Sequence, residues 1–201
     1  MTAGRRLPPD QRRAQIVQAA IDAVAARGFA AASLEVIAAR AGVSKGLVVH
    51  YASSRDALMA EAARTALVQL RSQVAQGLDA EADAVTFLRA AIRGAARLAR
   101  THERELAALE QIVAGLRDED GGPVLGIADM EETFEGQEGV FARGQRDGVI
   151  RAGADLRTLA LVYEGAVEAM VSHLRAHPEA DTDAFAEGVA DVLLTGIAAR
   201  S

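Results

Sequence analysis

Apolar positions recur every three or four residues along almost the whole chain, the period of helices that pack by one face. Ile16, Ala20, Ala23 and Val24 predict a first helix over 10–27, capped by Asp10 and closed by Gly28, with Phe29 folding back on Val24. Ser33 caps a short helical stretch, Leu34 to Arg40, which meets Ala41-Gly42-Val43. A second short helix starts at Ser44 and ends near Tyr51. Ser54 then opens a helix over 55–76, about 33 Å long at 1.5 Å per residue. The same period predicts helices over 81–100, 103–116, 124–147, 155–176 and 183–199, with the acidic, glycine-rich stretch 118–123 as a loop. With few β-branched runs to interrupt this period, the expected fold is all-α, with a small N-terminal domain and a larger helical C-terminal one.

The segment 33–51, SLEVIAARAGVSKGLVVHY, reads as a helix-turn-helix. Ala38 and Ala41 are small where two helices cross closely, and Gly42 stands where the turn needs an unusual backbone conformation. The second helix presents Lys45, Gly46, His50 and Tyr51 to phosphates and base edges. Leu47 and Val49 can contact a thymine methyl, whereas Val48 faces the core.

Composition narrows the reading. Half of the residues are hydrophobic, only 3% are aromatic and four are proline, which favours helix and supplies a core. The absence of cysteine excludes disulfides, thiolate zinc sites and a cysteine nucleophile. The charged N-terminus has no apolar signal segment and no apolar run reaches membrane-spanning length, so a soluble cytoplasmic protein is expected. The net charge of −6 argues against nucleic acid, but its distribution argues for it. Residues 1–60 carry eight basic and four acidic side chains, and the remainder carries 14 basic and 24 acidic ones. A basic head on an acidic body fits a DNA-binding domain joined to something else.

Residues 11–58 resemble the DNA-binding domain of the tetracycline-repressor (TetR) family of bacterial regulators. The stretches that carry the resemblance are IVQAAIDAVAARGF from Ile16, SLEVIAARAGVSKG from Ser33, His50-Tyr51, and SRDAL from Ser54. The phrase FARGQRDGVIR from Phe141 resembles the family's approach to its dimerisation helices. The resemblance implies a flexible arm over 1–9, a head over 10–54, a connector helix over 55–76 and an effector-binding and dimerisation domain over 77–201. It implies a phosphate contact at Ser33, a recognition helix opened by Ser44, Lys45 and Gly46, backbone contacts at His50 and Tyr51, and a basic contact at Arg55. Arg5 and Arg6 can reach the minor groove. Two positions depart from the family: Val49 replaces a common aromatic contact, and Ala52 replaces a bulky aromatic under the recognition helix. The function implied is a ligand-responsive repressor that binds a palindromic operator as a homodimer and is released by a small molecule.

The second domain offers weaker signals. Phe87, Gln111, Met130, Phe134, Phe141 and Tyr163 are placed near an effector pocket, each against the alternative of ordinary core packing. Leu159, Val162, Ala166, Val167, Met170, Phe185, Val189, Val192 and Leu193 make the last two helices too apolar to lie free, and predict a four-helix dimer interface. Glu131, Glu135 and Glu138 form an acidic stripe: a solvated face, a partner for Arg89, Arg93, Arg97 and Arg100, or an attractor of a cationic effector. Gly126, Gly136, Gly139 and Gly144 predict that this helix is loose, kinked or closely packed. His173 and His177 have metal-ligand spacing but no evident third ligand, so no metal, no cofactor and no catalytic residue are assigned. The competing readings are a helical adaptor and a small-molecule-binding or enzymatic protein. No nucleophile–base pair or phosphate loop supports the latter.

Overall fold

The structure is a computed structural model that describes residues 7–118 and 120–199. Among them are nine α-helices: α1 (Pro9–Arg27), α2 (Leu34–Ala41), α3 (Lys45–Tyr51), α4 (Arg55–Ala75), α5 (Ala84–Thr101), α6 (Glu103–Gly115), α7 (Glu131–Arg146), α8 (Leu156–Ala176) and α9 (Thr182–Ile197). A short 3-10 turn, Ile127–Met130, precedes α7. The all-α expectation holds, and none of the described helices is long and apolar enough to cross a membrane.

The chain packs as two units. The first contains the described residues through Gln69 together with Arg104–Gly126; the second contains Leu70–Glu103 and the described residues from Ile127 onward. Helix α4 therefore supplies residues to both. The sequence assigns all of 77–201 to a second domain, yet Ala108, Ile112, Leu116 and Val124 lie in the core of the first.

That first core is built from the apolar face of α1 (Ile16, Val17, Ala20, Ile21, Val24), from Ile37, Ala38 and Ala41 of α2, from Val48, and from Leu58, Met59, Ala62, Ala63 and Ala66 of α4. Alanine along these seams lets the short helices approach closely and leaves the larger aliphatic groups to fill the centre. The start of α1 differs from expectation. Pro8 is the N-cap and Asp10 falls in the first turn. Pro9 explains the shift, since its missing N–H and fixed φ suit the first helical position. Phe29 packs against the core that contains Val24 and gains further partners: its N–H donates to Gln111 Oε1 at 3.1 Å, and its ring lies against Gly115.

In the second unit α5 packs against α8 and α9, and α7 against α8. Leu88, Ile92, Ala96, Ala99, Phe134, Phe141, Ile150, Tyr163, Met170, Leu174, Ala186 and Ala190 form its core. The helix predicted over 124–147 is shorter than expected: Val124 belongs to the first core, a 3-10 turn spans Ile127–Met130, and α7 begins at Glu131. Its glycines divide by surroundings. A Cβ on Gly144 would lie 2.5 Å from Ile150 Cδ1 and 2.9 Å from Ala84 Cβ, so that position is closely packed; Gly136 and Gly139 face open space.

The acidic stripe pairs differently from the α5 reading. Arg157 of α8 binds Glu131 and, at 2.8 Å, Glu138. The α5 arginines turn to the last two helices: Arg89 reaches Glu187 and Asp191 at 2.8 and 2.7 Å, and Arg93 also binds Glu187. Arg100 donates to the carbonyls of Leu174 and His177 at 2.8 and 3.1 Å, neutralising the carbonyl end of α8.

Candidate nucleic-acid interface

Local chemistry sets the helix-turn-helix. Ser33 Oγ accepts the Val36 N–H at 3.3 Å and Ser44 Oγ accepts the Leu47 N–H at 3.2 Å, capping α2 and α3. Gly42 ends α2 at φ 65°, ψ 33°, the left-handed conformation a side chain disfavours, and the Val43 N–H returns to the Ala38 carbonyl at 3.0 Å. Gln15 Nε2 donates to the Ala41 carbonyl at 2.9 Å, which ties α1 to this turn. Ser54 Oγ accepts the Ala57 N–H at 3.0 Å and opens α4.

Helix α3 is held from one side only. Val48 is fully buried and Ala52, in extended backbone just beyond the helix, is buried as well. Ser44, Lys45, Gly46, Val49 and His50 are exposed, while Ser33, Leu47 and Tyr51 are half-buried. Val49 is 48% exposed, a large apolar group left in solvent where the sequence expects base contact. The His50 ring meets Tyr51 edge-on at 5.3 Å. Gly46 has only Ser44 Oγ, at 4.0 Å, near the space a Cβ would take, so nothing blocks an approaching backbone. The structure thus brings Ser44, Lys45, Gly46, Val49 and His50 onto one outward surface, flanked by Leu47 and Tyr51.

Arg55, expected at the DNA surface, is engaged within the head. Its Nε donates to the Ala32 carbonyl at 3.0 Å, its terminal nitrogens bind the Phe29 carbonyl and Asp56, and its plane stacks 4.4 Å from the Phe29 ring centroid. The turn between α1 and α2 leaves carbonyls without helical partners, and Arg55 supplies their donors. Arg5 and Arg6 lie outside the described residues.

One partner escaped sequence reasoning. Glu35, in the first turn of α2, binds Lys45 Nζ at 2.5 Å. Hydrogen bonding to Lys45, then to the Glu35 backbone N–H and Ser33, pulls the Glu35 carboxyl down to about 2. The only signal in the sequence is an acid and a base at the starts of consecutive short helices.

The residues assigned to an effector pocket separate. Phe134, Phe141, Tyr163 and Met130 share the second core. Phe141 and Tyr163 meet edge-to-face at 6.0 Å, and the Tyr163 hydroxyl donates to the Leu88 carbonyl at 3.2 Å. Burial pushes the Tyr163 phenol up. Phe87 is half-buried under the Arg143 guanidinium, at 5.8 Å. Gln111 belongs to the first unit, where it is bonded to Phe29. Nearby, Gln137 donates to Glu164 at 2.7 Å and Arg71 is half-buried beside Met130, with burial lowering its affinity for the proton.

The apolar residues of α8 and α9 divide between two faces. The sequence places Leu159 and Met170 in the interface, but both are buried inside the chain, because the register of α8 turns them, with Tyr163 and Leu174, toward α5 and α7. Val162 and Val192 are 57% and 75% exposed, and Leu161 joins them at 45%. Ala166, Val167, Phe185, Val189 and Leu193 are half-buried beside them. His173 stacks on His177 at 4.2 Å and on Phe185 at 4.6 Å. Among the described residues no group of three or more metal-ligating side chains converges.

Comparison with known proteins agrees with this geometry. Residues 16–62 match the profile described as "Bacterial regulatory proteins, tetR family". The chain is 39% identical over 89 residues to the HTH-type transcriptional activator FasR of Mycolicibacterium smegmatis, covering 44% of this chain and 41% of that one. It is 40% identical over 72 residues to the HTH-type transcriptional regulator BetI of Vibrio atlanticus, covering 36% of each. The matched segments thus span about two fifths of these curated relatives. The crystal structure of the transcriptional regulator FadR from Bacillus subtilis, in complex with stearoyl-CoA, superposes with a TM-score of 0.73 at 21% identity, covering 92% of this chain and 98% of that one. At that identity the likeness concerns the fold: an N-terminal helix-turn-helix domain followed by a helical domain.

Proposed function

We propose that this protein, whose residues 16–62 match the tetR family of bacterial regulators, is a ligand-responsive transcriptional regulator that binds a palindromic DNA operator as a homodimer. The observation that carries the reading is the outward surface of α3. Lys45, Gly46, Val49 and His50 are exposed on a helix anchored by one buried valine. Such a helix fits a major groove, with Lys45 on phosphate, Val49 and Leu47 against thymine methyls, and His50 and Tyr51 on the backbone. Ser44 accepts one cap N–H and keeps its hydroxyl proton to donate, whereas the Ser33 hydroxyl, which also caps a helix, already serves the Glu35 carboxylate.

A second copy is taken up by the outward faces of α8 and α9, with Val162, Ala166, Val167, Phe185, Val189, Val192 and Leu193 in a four-helix bundle. Leu161 extends that face. Two recognition helices then meet successive major grooves about 34–36 Å apart. The proposed output is repression, relieved when a small molecule in the second unit prefers the state that does not fit DNA. The ligand held by the B. subtilis relative supports an effector-binding second domain. The name of the M. smegmatis relative keeps activation as the alternative output.

Selection from a random duplex pool is the deciding experiment. Recovery of one two-fold-symmetric sequence, with Lys45→Ala weakening all duplexes and lowering the salt dependence, is the expected result. Failure of the folded dimer to enrich any sequence overturns the reading in favour of a helical adaptor. Reporter expression with and without the gene separates repression from activation.

A further inference from the structure

The pair Glu35–Lys45 joins the first turns of α2 and α3 across the helix-turn-helix. Both side chains are more than half exposed, at 61% and 55%, so burial does not force them together. The frame beneath them does. The Gly42 turn, the packed Ala38 and Ala41, and the two serine caps hold the helix starts at a fixed distance. Arg27 and Arg40 border the same shallow hollow as Glu35, but Arg40 faces Asp22 at 3.8 Å.

We propose that Glu35 is a positioning residue that acts as an electrostatic brake: it engages Lys45 on the recognition face and so weakens sequence-independent DNA binding. The proposal rests on the reading of the head as a DNA-binding domain. Sequence-independent affinity is a sum of cation–phosphate contacts, each releasing counterions. A lysine already neutralised by a carboxylate offers the phosphates less net charge, so fewer DNA counterions are released, and it must exchange one anionic partner for another. Because the Glu35 carboxyl stays ionised down to about 2, the brake is set throughout the physiological range.

The test is a double-mutant cycle on the full-length dimer with a random-sequence duplex, titrated with salt. Glu35→Gln is expected to tighten binding about three- to tenfold near 0.1 M salt and to steepen the salt slope by about one per head. The same substitution on a Lys45→Ala background is expected to change neither. An equal gain on both backgrounds shows general repulsion by Glu35 and overturns the brake. So does an unchanged Glu35→Gln protein when Lys45→Ala weakens binding. If no folded variant binds any duplex, the DNA-binding reading itself fails, and the brake with it.

Discussion

The guanidinium of Arg55 lies 4.4 Å from the centroid of the Phe29 ring and closes the turn between α1 and α2 from below. The same group binds the carbonyls of Phe29 and Ala32, so one side chain from the start of α4 fixes the entry into the helix-turn-helix. Replacing Arg55 with Met removes the guanidinium donor from the Ala32 carbonyl and leaves the Phe29 carbonyl only the Ala32 N–H at 3.4 Å. The expected cost is about 1–3 kcal/mol of stability, read as a lower denaturant midpoint. Because those donors point inward, the salt slope of DNA binding by the folded variant is expected to stay at the wild-type value. A loss of slope matching that of Lys45→Ala would return Arg55 to the DNA surface.

The outward faces of α8 and α9 give a second expectation. Val192→Glu or Val162→Glu places a charge on the apolar face proposed to meet a second copy, and light scattering should report monomers with helical content retained. Leu159→Ala and Met170→Ala should act differently. Both side chains are buried within one protomer, so their truncation is expected to cost about 2–5 kcal/mol of folding stability. Unchanged dimers for both glutamate variants would place the interface elsewhere.

Two glycines of α7 predict opposite signs. At Gly144 a methyl group collides with Ile150 and with Ala84, whose Cβ cannot retreat, and alanine there should destabilise by about 1–3 kcal/mol. At Gly136 a methyl group meets nothing within 4 Å, and alanine should stabilise by up to about 1 kcal/mol through helix propensity. Chemical denaturation of the two variants measures both. Destabilisation by Gly136→Ala would mean that another surface rests on that face.

Acid should loosen the contact of α5 with α9. Hydrogen bonds from Arg93 and Arg89 pull the Glu187 carboxyl from an ordinary 4.5 down to about 2. A carboxyl depressed in the folded state stabilises above its unfolded pKa and loses that contribution as pH falls through the folded one. The contribution of Glu187 is therefore complete above about pH 5 and fades toward pH 2. Glu187→Gln should lower the melting temperature at pH 7 and flatten its decline across that window. Parallel melting curves for the two proteins from pH 6 to pH 2 would refute the assignment.

Much of the head was legible in the amino-acid order because its determinants are local. Ser33, Ser44 and Ser54 each cap the helix that follows them, and Gly42 takes the left-handed turn that only its position between two short helices requires. The period of Ile16, Ala20 and Val24 marked the buried side of α1, and Val48 was separable from Val49 by its register alone.

Long side chains and distant partners were not legible in this way. Arg55 carries the same charge whether it faces phosphate or a carbonyl, and only the packing of α4 beneath Phe29 turned it inward. The glutamates of α7 had four arginines on α5 as plausible mates, yet α8 brought Arg157 between them. Leu159 and Val162 have the same chemistry, and the rotation of α8 against α5 and α7 decided that one is core and the other surface. Helical period, caps and turn are settled within a few residues by backbone sterics and hydrogen bonding, so the sequence by itself determined an all-helical chain with a helix-turn-helix at its head. Which face each helix buries, which charges meet, and that Arg104–Gly126 folds with the head depend on contacts tens of residues apart, and only the tertiary structure decided them.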